Sequence, residues 1–185
     1  MFCCKNLLQK IVLGIVFPLV FYNCARNDTE TEPFNFDFET EAELNTLTWE
    51  CRQLYSLSPE HVTHGKFSLK AELYPALYPG LKIRRFDPDW SEYSELHFDL
   101  FNPLPDSLAL HIRIDDQKEH PEFENRFNMT IMLQPGAGHY ILPLSKLTTS
   151  GSKRPLNLSS IEAVYLFIVQ PKKEVDLYFD FLHLE

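Results

Sequence analysis

Apolar and polar residues alternate along residues 94 to 116, on both sides of the Pro-rich segment Asn102 to Asp106. Because successive side chains of a β-strand point to opposite faces, this alternation predicts two strands joined by a turn. The apolar face contains Leu96, Phe98, Leu100, Leu108, Leu110, Ile112 and Ile114. The opposite face contains His97, Asp99, Ala109, His111, Arg113 and Asp115. The pair therefore has a core side and a polar side that is suited to holding a polar ligand.

The same alternation recurs in short segments through the rest of the chain. The main ones are residues 34–38, 48–57, 66–74, 81–86, 126–133, 139–143, 161–169 and 175–184. Turns rich in Pro, Gly and Asn separate them, and no helical pattern extends beyond a turn or two. The sequence thus predicts an all-β fold, a two-sheet antiparallel β-sandwich. It has no repeat of fixed period, which argues against a propeller or a solenoid.

The amino-terminal residues 1 to 23 have the pattern of a secretory signal peptide. Lys5 and Lys10 are followed by the apolar run Ile11 to Tyr22, which is short and contains Pro18. A basic region followed by a short apolar region is typical of export signals, and the run is too short for a confident membrane span.

The junction from Val20 to Cys24 resembles the lipobox of bacterial lipoproteins, although Asn23 stands where a small residue is usual. The resemblance implies that residues 1 to 23 are removed, that Cys24 carries lipid, and that the protein is anchored in the cell envelope, at the outer membrane or facing the periplasm. The polar, acidic residues 24 to 33 then form a flexible tether before one domain at residues 34 to 185. An ordinary signal peptide and an uncleaved anchor are the alternatives. All three place the domain outside the cytosol.

Charge and cysteine content narrow the class of partner. The formal net charge is −9 and would be more negative without Lys5 and Lys10. An acidic chain lacks the basic surface that nucleic acids require, so we exclude nucleic-acid binding. After loss of the signal peptide and lipidation of Cys24, only Cys51 remains free, and the fold must depend on its core rather than on disulfides.

Motifs of common enzyme classes are absent from the sequence. It contains no Gly-x-Ser-x-Gly, His-Glu-x-x-His or Cys-x-x-Cys motif and no phosphate-binding glycine loop. Asp115 and Asp116 together with Asp99 could supply the two carboxylates of a glycosidase. Charge balance with Arg113 is the simpler explanation of these acids, and we predict that the protein is not an enzyme.

The order of sequence phrases along residues 34 to 185 resembles that of galactose-binding-like jelly-roll domains. The phrases are FDFE ending at Glu39, HVTHGKFSLKAEL at 61–73, the segment 78–103, LHIRIDD, RFN, LQPG and LYFDFLHL near the end. Such β-sandwiches are typical of many carbohydrate-binding modules, and relatives occur in uncharacterised bacterial lipoproteins. The resemblance implies the fold; any function it implies is an analogy.

Two sites follow from this resemblance. A structural calcium ion commonly ties the first strand of such domains to the last, and Glu39 and Asp180 match its acidic ligands, with a backbone carbonyl near Gly65 or Lys66. Phe181 stands where a second Asp is frequent. The alternative is that Glu39 and Asp180 are edge residues in a salt bridge.

The sugar site is expected on the polar face of the sheet that contains the alternating strands. Its candidate residues are His97, Asp99, His111, Arg113, Asp115, Arg126 and Asn128, with Trp90, Tyr93, Tyr74 or Tyr78 as the aromatic platform. Arg and carboxylate groups suit vicinal hydroxyls, and an aromatic ring suits the C–H face of a sugar. Alternatively, Arg113 forms an ion pair with Asp99 or Asp115, and Trp90 is a packing plug at the edge of the sandwich.

Two functions are therefore expected as alternatives. In the first, a lipid-anchored, non-catalytic envelope protein binds a carbohydrate on its polar sheet face. In the second, a lipoprotein of the same fold has no sugar site and binds another protein, as an adhesin or an assembly component. Exposed aromatics beside a polar groove would favour the first; a broad apolar patch or an open strand edge would favour the second.

Overall fold

The computed structural model describes residues 33–48, 51–118 and 120–185. The predicted signal peptide, the lipidation site Cys24 and all of the predicted tether except Pro33 lie outside these residues. Among the described residues, no helix is both long and apolar enough to cross a membrane.

Short strands make up most of the described chain. In chain order they are β1 (Asn35–Phe36), β2 (Leu47–Thr48), β3 (Gln53–Ser58), β4 (Ser68–Leu73), β5 (Gly80–Ile83), β6 (Glu95–Asn102), β7 (Leu108–Asp115), β8 (Phe127–Leu133), β9 (Gly136–Pro143), β10 (Ala163–Phe167) and β11 (Val175–Leu184). One helical turn, α1 (Glu41–Leu44), follows β1, and 3₁₀ turns occupy Phe123–Asn125 and Leu144–Lys146.

The described strands form two antiparallel sheets. Sheet A has the order β3-β4-β11-β6-β9, and β1 pairs with the end of β11. Sheet B has the order β2-β5-β10-β7-β8. The prediction of an all-β, two-sheet antiparallel β-sandwich is confirmed.

The core lies between the sheets and is built from the apolar faces of both. Phe98 and Phe179 of sheet A and Ile83 and Ile112 of sheet B are at most 2% exposed. Burial of such apolar side chains supplies most of the stabilising free energy of a domain without disulfides. The predicted inward faces of β6 and β7 are confirmed by this burial.

The segment between β6 and β7 crosses from one sheet to the other. The strands were predicted to share one sheet, which is wrong: β6 pairs with β9 and β11, whereas β7 pairs with β8 and β10. Asn102, 1% exposed, holds the crossing. Its amide donates to the carbonyls of Asp106 (3.1 Å) and Leu133 (3.4 Å), and its Oδ1 accepts from Leu104 N (3.0 Å). The polar faces of β6 and β7 therefore lie on opposite sides of the sandwich.

Strand β11 contains an irregularity that changes which residues face outward. Asp180 pairs with Asp99 of β6, but the next paired residue is His183, opposite His97. The extra residue is a β-bulge, and Phe181 within it has φ of 46°. As a result Leu182 is buried, and His183 takes the outward side.

Candidate functional site

The predicted sugar ligands fall on two separate surfaces. His111, Arg113 and Asp115 of β7 lie on the outer face of sheet B, together with Asn128 of β8 and the preceding Arg126. His97 and Asp99 of β6 lie on the outer face of sheet A. The prediction of one site that contains all seven residues is wrong, because the crossing at Asn102 separates β6 from β7.

Two rows of polar and aromatic side chains cross the outer face of sheet B. The register places Lys82, Tyr165, Arg113 and Asn128 side by side on four neighbouring strands. The adjacent row contains Phe167, His111 and Thr130. Sheet pairing thus brings residues from distant parts of the chain into one surface.

Arg113 is fixed at the centre of this face. Its Nε and Nη2 donate to the two carboxylate oxygens of Asp115 at 2.8 and 2.6 Å, and its guanidinium lies 4.3 Å from the centre of the Tyr165 ring. Asp115 is 2% exposed, so it orients Arg113 from below and does not face a ligand. The ion pair anticipated from the sequence is confirmed for Asp115. Burial, followed by the charge of Asp115, raises the pKa of Tyr165 to about 12.

Arg126 lies close to Arg113 and has few partners of its own. Its Nη1 donates to the Pro121 carbonyl at 3.5 Å, while its buried Nε has no hydrogen-bond partner among the described residues. The guanidinium also lies 5.9 Å from the centre of the Phe123 ring. Burial lowers the pKa of Arg126, and the positive charge of Arg113 lowers it further. An anionic or hydroxyl acceptor on a ligand would offset both the burial of Arg126 and its repulsion by Arg113.

His111 and Asn128 are the remaining predicted ligands on this face. The Nδ1 of His111 is 2.8 Å from Thr130 Oγ1, and its ring stacks on Phe167. Partial burial lowers the pKa of His111, which favours the neutral imidazole. The Asn128 amide lies in β8 and donates to Ser150 Oγ at 2.9 Å, so it already has a partner within the protein.

Two adjoining depressions, which we call the groove, occupy this face. The larger, about 500 Å³, is lined by Tyr78, His111, Ile112, Arg113, Phe123, Arg126, Asn128, Met129, Thr130, Phe167 and Val169. The smaller, about 300 Å³, is lined by Thr48, Cys51, Tyr78, Lys82, Arg113, His120 and Tyr165. Tyr78 and Arg113 line both. Tyr78 is 48% exposed and Phe123 is 54% exposed, so two aromatic rings are available at the rim.

Trp90 is not part of the groove. It is fully buried, its ring packs edge-on against Phe34 at 5.1 Å, and its backbone N–H donates to the Leu158 carbonyl. Trp90 as a sugar platform is therefore wrong, and the alternative of a packing plug is confirmed. Among the four aromatics considered from the sequence, only Tyr78 lines the groove.

Glu39 holds the segment that precedes β4. Its Oε1 accepts hydrogen bonds from the backbone N–H groups of Lys66 (2.6 Å) and Phe67 (2.9 Å). These bonds lower the pKa of the Glu39 carboxyl. Gly65, with φ of 71°, is required here, because a Cβ at this position would lie 2.2 Å from Glu39 Oε1.

Asp180 holds the same segment from β11. Its Oδ2 accepts from the N–H groups of Thr63 (2.7 Å) and His64 (3.0 Å), and its Oδ1 accepts from Phe181 N (2.8 Å). Burial raises the pKa of Asp180, although these bonds act in the opposite direction. An ion pair at a sheet edge is wrong for Asp180, because β11 lies inside sheet A and its carboxylate bonds N–H groups.

The surroundings of Glu39 and Asp180 do not fit a calcium ion. Calcium requires oxygen ligands, whereas Glu39 Oε1 and both oxygens of Asp180 already accept hydrogen bonds from backbone N–H groups. Within the described residues, neither carboxylate belongs to a group of three or more His, Cys, Asp or Glu side chains that could hold a metal ion. The calcium site stays a prediction, and the contacts explain these acids without an ion.

Comparisons with known proteins identify the fold. No protein-family model and no curated protein matches the chain. Among solved structures, the family 11 carbohydrate-binding module from Clostridium thermocellum, in complex with a β-1,3-1,4-mixed-linked tetrasaccharide, has a TM-score of 0.60 at 15% identity, covering 82% of this chain and 95% of that chain. A family 22 carbohydrate-binding module of Clostridium thermocellum Xyn10B has a TM-score of 0.51 at 13% identity, covering 84% and 94%.

The fold also matches part of larger enzymes. An exo-β-agarase has a TM-score of 0.63 at 20% identity, and the match covers 83% of this chain but only 25% of the agarase chain. At these identities the similarity shows the fold alone. The fold is that of jelly-roll carbohydrate-binding modules, and the predicted resemblance is confirmed at that level.

Several groove residues were missed by the sequence analysis. Tyr165 and Phe167 lie in the run Ala163–Phe167, which is apolar throughout and gives no alternation to distinguish the outer face. Lys82 is one polar residue in a four-residue strand. Phe123 belongs to a 3₁₀ turn outside any strand pattern.

Proposed function

We propose that the protein is a lipid-anchored, non-catalytic envelope protein whose groove on sheet B binds a glycan. The observation that supports this best is the pairing of Tyr78 and Arg113 in both depressions. The exposed ring of Tyr78 and the oriented guanidinium of Arg113 would then contact successive sugar units of one oligosaccharide. Such a combination suits a saccharide, which has an apolar C–H face and hydroxyls at its edge.

Pre-orientation of Arg113 favours binding. Asp115 and the Tyr165 ring restrict its side chain before any ligand arrives, so less conformational entropy is lost on binding. The bonds to Asp115 use Nε and Nη2 of the guanidinium, and we infer that Nη1 is the donor that meets a ligand. Arg126 adds a second donor beside it.

The closeness of the two guanidiniums favours a glycan with an anionic substituent. The charge of Arg113 lowers the pKa of Arg126, so a carboxylate or sulfate between them would be stabilised by both. A neutral sugar would engage the same donors through hydroxyl groups alone.

Catalysis is not part of the proposal. Glycoside hydrolysis ordinarily requires two carboxyl groups that flank the scissile bond. Among the described residues that line the groove there is no Asp or Glu, and Asp115 is covered by Arg113. The described lining therefore supports binding of a saccharide rather than its hydrolysis.

The anchor is proposed from the sequence. Lipid on Cys24 and the acidic tether would hold the domain at a membrane, with the groove free to bind a glycan outside the cytosol. The acidic chain would be repelled by anionic lipid surfaces, so lipid rather than charge would retain it.

Titration calorimetry with saccharides tests the proposal. The panel contains the β-1,3-1,4-mixed-linked tetrasaccharide, agaro-oligosaccharides and matched oligosaccharides with uronate or sulfate groups. We expect at least one to bind the wild type, and Tyr78→Ala to weaken it about tenfold or more, as for a central aromatic contact. The control is Tyr93→Ala, since Tyr93 is 37% exposed and lines neither depression.

A protein partner is the second candidate, because apolar side chains are exposed at the rim of the groove. Leu77, Tyr78, Phe123 and Val169 are each at least 44% exposed. If no saccharide in the panel binds, or if Tyr78→Ala binds as well as Tyr93→Ala, glycan binding in the groove is refuted and the protein partner is favoured.

A further inference from the structure

Three histidines and three acidic residues meet on the outer face of sheet A, opposite the groove. We call them the histidine cluster: His97, His139, His183, Glu95, Asp99 and Glu185. They come from β6, from β9 and from the end of β11. The proposed glycan site uses none of them.

The bulge in β11 places two of these residues. It turns His183 to the outer side, opposite His97. Glu185 is then held beside Glu95, since the N–H of each donates to the carbonyl of the other at 2.9 Å. The backbone therefore brings two His and two Glu residues together at one end of sheet A.

The proton positions in two of the imidazoles follow from a chain of hydrogen bonds. Asp99 Oδ1 lies 2.6 Å from His139 Nδ1, so that nitrogen donates, and in the neutral imidazole His139 Nε2 is then an acceptor. His97 Nδ1 lies 3.3 Å from this Nε2 and donates to it. The lone pair of His97 is consequently on Nε2, which faces the carboxylates of Glu95 and Glu185.

His183 is oriented in the same sense. Its Nδ1 is 3.0 Å from the carbonyl of Phe181, which can only accept, so Nδ1 carries the proton. Its Nε2 lone pair then faces Glu185 Oε1 at 3.2 Å. In neutral rings, the Nε2 lone pairs of His97 and His183 thus face carboxylate oxygens with no donor between them, an arrangement that a bound cation would stabilise.

Three side chains of the cluster lie close enough together to share one metal ion. His97 Nε2 is 3.0 Å from Glu95 Oε2 and 3.6 Å from Glu185 Oε2, and the ligand atoms of His97, His183 and Glu185 all lie within 4.8 Å of one another. Zinc bonds of about 2.0–2.1 Å place tetrahedral ligands about 3.3–3.4 Å apart. We propose that His97, His183 and Glu185 bind a Zn²⁺-like transition-metal ion, with water in the fourth position.

Asp99 and His139 act as positioning residues in this site. Hydrogen bonds from ligand imidazoles to carboxylates or other acceptors fix the tautomer and the ring orientation of the ligand. Here Asp99 acts on His97 through His139. The metal ion would link the end of β11 to the start of β6 and stabilise this end of sheet A.

Calorimetric titration of the chelator-treated protein with ZnCl₂ tests the site. We expect one Zn²⁺ per chain and a rise in melting temperature. His183→Gln should abolish both, and Asp99→Asn should weaken binding about 10–100-fold, as is typical of partners of metal-bound histidines. The matched control is His111→Gln, because His111 lies on the outer face of sheet B, and it should bind Zn²⁺ as the wild type does.

X-ray absorption of the zinc-loaded wild type provides a second readout that does not depend on folding of a variant. We expect two nitrogen and two oxygen ligands. Failure of the wild type to bind one Zn²⁺, or wild-type affinity in a folded His183→Gln variant, would overturn the proposal.

Discussion

Replacing Asp115 with Asn should destabilise the protein and disturb the groove. The Asp115 side chain is 2% exposed and that of Arg113 is 12% exposed, with two hydrogen bonds between them at 2.6 and 2.8 Å. Removing one partner of a buried ion pair typically costs about 3–5 kcal/mol. Because Arg113 borders the groove and keeps some contact with water, we expect about 2–3 kcal/mol.

Urea unfolding followed by circular dichroism measures this loss. For a domain of this size, the expected change lowers the melting temperature by roughly 4–12 °C. Asp106→Asn is a matched control at an exposed turn position and should change the free energy of unfolding by less than about 0.5 kcal/mol.

A double-mutant cycle tests whether Asp115 acts through Arg113. The variants are Asp115→Asn, Arg113→Gln and the combination of both. If the pair is the cause, the double variant should lose less stability than the sum of the single variants, by about 1 kcal/mol or more. Additivity within about 0.5 kcal/mol would refute the reasoning. Both single variants should also weaken binding of any saccharide that Tyr78→Ala affects.

Three further predictions concern other parts of the chain. Burial opposes ionisation of Asp116, but hydrogen bonds from Arg154 and Asn157 N hold its pKa below 3.8, so its stabilising contribution is present above that pH and is lost as pH falls through the lower folded-state pKa. Asp116→Asn should therefore cost stability at pH 7 and flatten the acid limb of a melting-temperature profile; an unchanged limb would contradict this. Calcium should not raise the melting temperature relative to EDTA, because N–H groups occupy the carboxylates of Glu39 and Asp180; a rise that Asp180→Asn removes would restore the calcium site. Cys24→Ser should release the protein from membranes and abolish labelling by a radioactive fatty acid, and retained label would refute lipidation at Cys24.

Alternation in the sequence was sufficient to predict the fold class and the inward faces. In β6 and β7, except at Phe101, apolar residues alternate with polar or small ones. A two-residue period is what a strand with one buried face requires. The ion pair of Arg113 with Asp115 could also be predicted from the sequence, because residues two apart in a strand share a face.

The alternation of apolar and polar residues could not show which strands share a sheet. A tight turn between two alternating strands is compatible with a hairpin and with a crossing between sheets, because both bury the same faces. Asn102 distinguishes them through hydrogen bonds to Asp106 and Leu133, and Leu133 is distant in sequence. A crossing that depends on a carbonyl so distant in sequence leaves no local sequence pattern. The sequence analysis therefore combined residues of two separate surfaces into one predicted site.

The crossing and the bulge together explain how a small domain has two chemically distinct outer faces. Because the chain crosses between the sheets at Asn102, His97 of β6 lies on sheet A and Arg113 of β7 lies on sheet B. The bulge at Phe181 reverses the alternation of β11, so that His183 joins His97 instead of entering the core. Without the extra residue, Leu182 would face outward and His183 inward, where an imidazole would be costly to bury. The outward histidine therefore depends on a local backbone distortion, and the groove on sheet B does not.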